Sequence, residues 1–370
     1  MTARRALAVA GLWLAGIWIV ALASARLAPG FGNEPDWPAG MLERVTPLAR
    51  WDSGWYVGLS ERGYDEPPRR QGQQTNHAFF PLYPLLMRLL SKTGLETSLA
   101  GNLVSAASLL GAAALFARWV TRRFGAERAA PALAVLLLFP PSLFFAAVYT
   151  EALLLFLALL AVVALEEDRP WLAALAGLLA GLTRVSGLCL VPFLLLAGLR
   201  LKKPLPAALV GLSPLAGFSL FCLHFQLRYG DPLLFVNAQH NWSDKPKSAL
   251  EGPFIIVRQV VDDLTTGHVF RRNPTTLVEG LLLVLFAFLA WRLLRARLLP
   301  EAAYVAASVA IVLLTGTLES GGRYVLPAFP GFAVLGGLAA RPALFRPLLV
   351  GSAVVQAGYV FLFVHSVWVG

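Results

Sequence analysis

Charge is scarce in this chain. Only 14% of its 370 residues are Asp, Glu, Lys or Arg, against about 25% in ordinary soluble domains. With 57% hydrophobic residues and a mean hydropathy of +0.66, soluble multidomain readings are excluded. Cysteine is nearly absent: Cys189 and Cys222 both lie in apolar runs and form neither a disulfide framework nor a zinc spacing. The five histidines (77, 224, 240, 268 and 365) show no metal-binding spacing such as H-E-x-x-H, so no metal site and no cofactor are expected. There is also no glycine-rich phosphate loop, Walker motif or D-x-D pair. That argues against sugar-nucleotide donors, which often rely on carboxylate–metal chemistry. No fixed-period repeat is visible and the two halves are not similar, which counts against transporters built from internal repeats.

What is present is a succession of apolar runs of about 20 residues, the mark of a polytopic membrane protein. The expected fold class is all-α, a single transmembrane domain over 1–370 with about eleven spans. These run over about 6–27, 98–118, 129–148, 151–165, 170–182, 187–200, 205–225, 276–294, 301–317, 323–339 and 347–369. The first follows Arg4-Arg5, and Ala-Ser-Ala at 23–25 imitates a signal cleavage site. Signal h-regions run about 7–15 residues, whereas Ala6–Ala25 gives twenty uncharged positions, so a retained first span is expected. The runs 170–182 and 187–200 are short for a crossing, which predicts tilted, broken or partly re-entrant helices.

A charge count tests the expected orientation. With the N-terminus cytoplasmic, the cytoplasmic segments hold fifteen cations and five anions, a net +10. The rest of the chain holds sixteen of each and sums to zero. All net charge thus falls on one side, as the positive-inside rule expects, and no nucleic-acid partner is needed to explain the basic pI. Two long outer segments remain, about 28–97 and 226–275, rich in Trp, Tyr, Phe and Pro.

The first outer segment carries R-W-D-S-G-W-Y-V-G-L at 50–59 and A-F-F-P-L-Y-P at 78–84. At helical spacing Trp51, Trp55 and Leu59 share a face and Asp52 sits beside Tyr56, as in a short interfacial helix with aromatics at headgroup level. Asp52 reads either as a carboxylate facing a cavity or as a helix N-cap. Pro81 and Pro84 forbid an uninterrupted helix, giving a bent aromatic segment that grips a ligand or an ordinary proline-started helix. Glu151, the sole carboxylate between Ala129 and Leu165, is either a first-turn residue under a Thr150 cap or a functional group near the membrane. Arg184 and Arg323 stand at outer turns against the charge trend. Their planar guanidinium forks suit a phosphate, or pair with Glu151 or Glu319. In the second outer segment, Gly230-Asp231-Pro232 is a turn signal, and Gln239, His240 and Trp242 are sugar-binding types.

Six blocks in this order, W-D-x-x-W-Y, F-F-P-L-Y-P, Y-T-E, T-R-x-x-G, G-D-P-x-x-F-x-x-A-Q-x-x-W and R-Y-x-L-P-A-F-P, resemble the PIG-V-type mannosyltransferases. Those are integral-membrane GT-C glycosyltransferases whose eukaryotic members add the second mannose of the GPI anchor precursor. The blocks run from about Arg50 to Pro330. The resemblance implies a GT-C-like fold, a polyprenyl-phosphate sugar donor and inversion without a covalent intermediate. It also implies an acidic catalytic residue in the first outer loop, here Asp52. Donor phosphate would fall to Arg184 and Arg323. Trp51, Trp55, Tyr56, His77, Phe80, Tyr83, Glu151, Gln239, Trp242 and Tyr324 would form the substrate site. The acceptor would be a glycan, lipid or protein, and the setting a prokaryotic cell membrane with the active site outside. The competing class is a transporter or flippase for lipid-linked sugars, which would need a matching polar path on the cytoplasmic side.

Overall fold

The computed structural model describes residues 1–28, 31, 46–67, 73–199, 204–240, 251–266 and 275–369. Among these the chain is helical with no strand. Five helices are long and apolar enough to cross a membrane. They are α1 (Ala3–Leu27), α4 (Thr97–Phe124), α9 (Pro204–Tyr229), α12 (Thr276–Arg295) and α16 (Pro342–Val364). The other expected spans fall on shorter or interrupted helices, so the architecture is multi-pass and only partly made of full-length crossings.

The interruptions have local causes. Helix α5 (Ala126–Leu138) begins after Gly125, whose φ of +103° suits glycine. It stops because Pro140-Pro141 follows, forcing Phe139 into an extended conformation (ψ 136°). The expected span 129–148 is therefore wrong beyond 138. Pro140–Phe145 forms a 3-10 turn, and irregular chain continues to α6 (Glu151–Glu166). Every residue from Pro140 to Thr150 is buried. Irregular backbone survives at membrane depth only where protein satisfies its polar groups, and neighbouring side chains do so here. Asn102 donates to the Ala146 carbonyl (2.9 Å) and Ser105 to that of Ala147 (2.8 Å). Gln356 of α16 donates to the carbonyls of Leu137 and Phe139 (both 2.8 Å).

The short runs behave as their length dictates. Helix α7 (Pro170–Gly181) has 12 residues, about 18 Å at 1.5 Å per residue, well short of the roughly 30 Å hydrocarbon core. A turn at Thr183-Arg184, a 3-10 segment (Val185–Cys189) and α8 (Leu190–Gly198) return the chain. Helix α7 packs closely on α9, since a Cβ on Gly217 would strike the Leu178 carbonyl. This hairpin carries Arg184 at its turn, with the side chain largely buried.

Around this frame lie α2 (Ser53–Arg62), α3 (Leu82–Ser91), α10 (Leu234–His240) and α11 (Gly252–Thr266). Helix α13 (Leu299–Thr315) leads into α14 (Gly321–Val325) and α15 (Phe329–Gly336). The expected span 323–339 is thus broken around Pro327. At one end of the bundle the basic helix termini are tied by ion pairs, Arg123 to Glu301 (2.7 Å) and Arg122 to Glu167 (2.8 Å). The Arg50–Asp52 loop, the start of α6, the Arg184 turn and α14 meet at the other.

Candidate active site

The loop that leads into α2 is locked before it reaches Asp52. Arg50 donates through Nη1 to the Thr46 and Ala49 carbonyls (3.0 and 2.9 Å) and through Nε to that of Val364 (3.2 Å). Its own carbonyl accepts the Tyr149 hydroxyl at 3.1 Å. Trp51 then takes φ +56°, a conformation that costs a non-glycine residue about 1–3 kcal/mol and that clusters at functional sites. Trp51 thereby falls outside α2, its ring edge-on to Trp368, and does not share a helical face with Trp55. Asp52 occupies the N-cap position of α2 but makes no side-chain capping bond. Its Oδ2 instead accepts Nη1 of Arg323 at 3.0 Å, and Oδ1 has no hydrogen-bond partner among the described residues.

Glu151 opens α6 in the same way. Thr150 makes no capping bond, and Glu151, with no exposed surface, turns its carboxylate to both arginines. Oε1 accepts Nη1 of Arg184 (2.5 Å) and Nε of Arg323 (2.8 Å). Oε2 has no partner among the described residues. The Arg323 guanidinium lies 4.6 Å from the Tyr149 ring centre and 4.9 Å from that of Phe144, and Arg184 lies 4.8 Å from Tyr324. Such contacts strengthen when desolvated. Two arginines and two carboxylates thus form one neutral, largely buried unit. The backbone is again unusual beside it: Ser320 has φ +65° three residues before Arg323, and Ser366 has φ +56° two residues before Trp368.

Above this unit lies a cavity of about 210 Å³. Of the residues expected at the substrate site, Asp52, Tyr56, Phe80, Arg184, Gln239, Arg323 and Tyr324 line it, with Glu151 beneath. Burial pushes the Tyr56 phenol above its ordinary pKa. Phe80 reaches the cavity from the segment before α3, a proline-started helix after all. Gln239 arrives on α10, positioned by the Gly230-Asp231-Pro232 turn, where Asp231 accepts Leu233 N–H (2.9 Å) and the Asn237 amide (3.1 Å).

Other expected site residues are elsewhere. Tyr83 is fully buried and does not line the cavity, its hydroxyl donating to the Gly101 carbonyl at 2.9 Å. Trp55 stacks on Phe79 and does not line the cavity. His77 is buried against Tyr64, Phe225 and Tyr229, with Nδ1 at 2.9 Å from Thr75 Oγ1. Burial lowers its pKa from the ordinary 6.5, while a bond and the charge from Asp65 oppose the shift. Trp242 lies outside the described residues.

Sequence reasoning missed Phe79, Trp368 and Glu319 as lining residues. Trp368 was hidden in a span drawn to 369, although α16 stops at Val364. It also missed Glu279, a carboxylate inside an apolar span, a signal that marks function in membrane helices. Among the described residues no group of three His, Cys, Asp or Glu could hold a metal ion.

Residues 38–202 match the family described as mannosyltransferase (PIG-V), so the resemblance carried by the sequence blocks is shown. The first four blocks fall inside that match and the last two beyond it. The chain is 32% identical over 196 residues to rat (Rattus norvegicus) GPI alpha-1,6-mannosyltransferase 2, covering 49% of this chain and 38% of that protein. It is 36% identical over 166 residues to the Cricetulus griseus protein of the same name, covering 41% and 32%. The chain therefore spans about a third of the length of the curated relatives it matches. Apo ArnT from Cupriavidus metallidurans shares the fold, with TM-score 0.52 and 15% identity over 96% of this chain and 76% of that one. The fold is GT-C-like.

Proposed function

We propose that this chain is a membrane glycosyltransferase, a mannosyltransferase by family, acting at the outer membrane face. It moves a sugar from a polyprenyl-phosphate donor to a hydroxyl of a glycan, lipid or protein acceptor, with inversion. One observation carries the reading: Asp52, freed from capping, shares a cavity with its partner Arg323 and with Arg184, and Glu151 bonds both arginines.

The roles follow from the geometry. Asp52 Oδ1 accepts the proton of the acceptor hydroxyl as its oxygen bonds to the anomeric carbon. The bond from that carbon to the donor phosphate breaks, and the leaving lipid phosphate gains negative charge. Arg323 uses Nε and Nη1, and Arg184 Nη1, for carboxylates, leaving further N–H groups to meet phosphate oxygens as the charge develops. In this reading arginine, rather than a metal, answers the leaving charge, and no cofactor takes part. The rings of Tyr56, Phe80 and Tyr324 and the Gln239 amide flank the sugar.

The test is sugar transfer by the detergent-purified chain from a synthetic short-chain polyprenyl-phosphate mannose. Acceptors come from the glycans and lipids that accumulate unmodified in a deletion strain. Transfer that inverts the anomeric centre is expected. Movement of the lipid-linked sugar between vesicle leaflets with no transfer would overturn the reading in favour of a flippase.

A further inference from the structure

Glu279, in the first turn of α12, is fully buried and forms no ion pair among the described residues. Its Oε2 accepts the backbone N–H of Gly322, and its Oε1 has no partner among them. Gly322 directly precedes Arg323. The five-residue helix α14 that carries both is too short to hold its own shape. It is entered through the strained Ser320 and ends two residues before Pro327. Glu279 and Pro141 wall the turn: a Cβ on Gly322 would lie 2.9 Å from Glu279 Oε2 and 2.7 Å from Pro141 Cγ. Something must therefore hold the turn in place, and the bond from Gly322 to Glu279, neither of which lines the cavity, does so.

We infer that Glu279 is the positioning residue for Arg323, fixing the backbone from which the guanidinium reaches Glu151, Asp52 and the ligand phosphate. The inference rests on the donor-phosphate reading above. Arg323 bonds two carboxylates through two different nitrogens, at 2.8 and 3.0 Å, so a shift of its backbone by an ångström breaks at least one bond. Displacements of that size cost on the order of a hundredfold in rate when they misplace a group that acts on the substrate.

The experiment measures farnesyl phosphate binding to the purified full-length chain in detergent. Glu279→Ala should weaken binding on the order of tenfold, while Glu279→Gln, whose amide oxygen still accepts the Gly322 N–H, should stay within about threefold. In an Arg323→Ala background the further effect of Glu279→Ala should shrink below about twofold, because groups acting through one another are not additive. Wild-type affinity in Glu279→Ala, or an equal loss in both backgrounds, would overturn the positioning role. Should Glu279→Ala not fold, Gly322→Ala takes its place. Its added carbon falls between Glu279 and Pro141, and unchanged binding there would equally overturn the role. Wild-type protein that fails to bind farnesyl phosphate would remove the donor reading itself, and the positioning role with it.

Discussion

Arg323 Nη1 stands 3.0 Å from Asp52 Oδ2 across 271 positions of sequence. The contact fixes one carboxylate oxygen and leaves the other without a partner among the described residues, so Asp52 is oriented without being used up. An N-cap aspartate would spend its oxygens on backbone N–H groups. Here α2 begins without that bond.

The Asp52→Asn variant separates chemistry from structure. An amide keeps the shape and can still accept from Arg323, so the protein should fold and bind donor. It cannot take the acceptor's proton at neutral pH, so turnover should drop by about 10²–10⁴-fold. Asp52→Ala has no capping bond to lose, so any stability it gives up reflects the lost contact with Arg323 and should be matched by Arg323→Ala rather than by a cap deletion. Transfer assays alongside thermal unfolding check both. An Asn variant keeping over half of wild-type turnover would move the base elsewhere, Glu151 being next in line.

The two arginines should not behave alike. Removing Arg323 strips Asp52 of its partner and Glu151 of one of two, and breaking a buried pair costs about 3–5 kcal/mol. Arg184→Ala leaves Glu151 still bound by Arg323. Its main effect should be weaker phosphate binding, by about 1.5–3 kcal/mol, with lysine restoring only part. Unfolding temperatures with and without farnesyl phosphate distinguish the two. Equal stability for Arg184→Ala and Arg323→Ala would contradict the pairing.

His77 gives a pH dependence. Burial holds its folded pKa below the ordinary 6.5, so the unfolded chain takes the proton first. Its contribution is complete above about pH 6.5 and declines as pH falls through that value, because the unfolded state then binds more protons. His77→Gln should flatten the fall in stability below about pH 6.5 in denaturation curves. A steeper fall in the variant would reverse the assigned sign.

The α7–α9 contact should tolerate no added carbon. Gly217→Ala places a methyl on the Leu178 backbone carbonyl, where overpacking costs about 1–3 kcal/mol. Gly358→Ala meets nothing within 4 Å and serves as control. Because α7 leads into Arg184, the Gly217 variant should also weaken phosphate binding. Equal melting temperatures for the two variants would refute the close packing.

Much of the site was legible because charge inside apolar sequence has to be explained. Asp52, Glu151, Arg184 and Arg323 stood out individually on that ground. Pairing of the two arginines with Glu151 was one of the expected alternatives, but the Asp52–Arg323 contact was not, since helical periodicity relates neighbours a few positions apart and carries no information between residues 52 and 323. Residue type misled at the caps: Asp52 and Thr150 are good capping types, yet the pull of a buried guanidinium and the local backbone won. The aromatics of the first loop were overcounted, because Tyr83, Trp55 and His77 pack within the protein and do not line the cavity. Pro140-Pro141 was visible, but hydropathy carried the span past it to 148, since Leu143–Val148 is as apolar in the 3-10 and turn segment as in a helix.

The irregular segment between Pro140 and Thr150 also bears on how the protein is made. Its carbonyls at Ala146 and Ala147 are satisfied by α4, which precedes it, and those of Leu137 and Phe139, which lead into it, by Gln356 on α16, more than 200 residues later. During membrane insertion α5 and α6 are in place long before α16 is synthesised. Until then the carbonyls of Leu137 and Phe139 lack the Gln356 amide, so this part of the bundle stays open to lipid, water or a chaperone. Nascent chains stalled before residue 342 should accordingly be cleaved by protease near 139–150, and full-length chains should resist. The corner that holds Glu151 in place is therefore among the last parts of the protein to close.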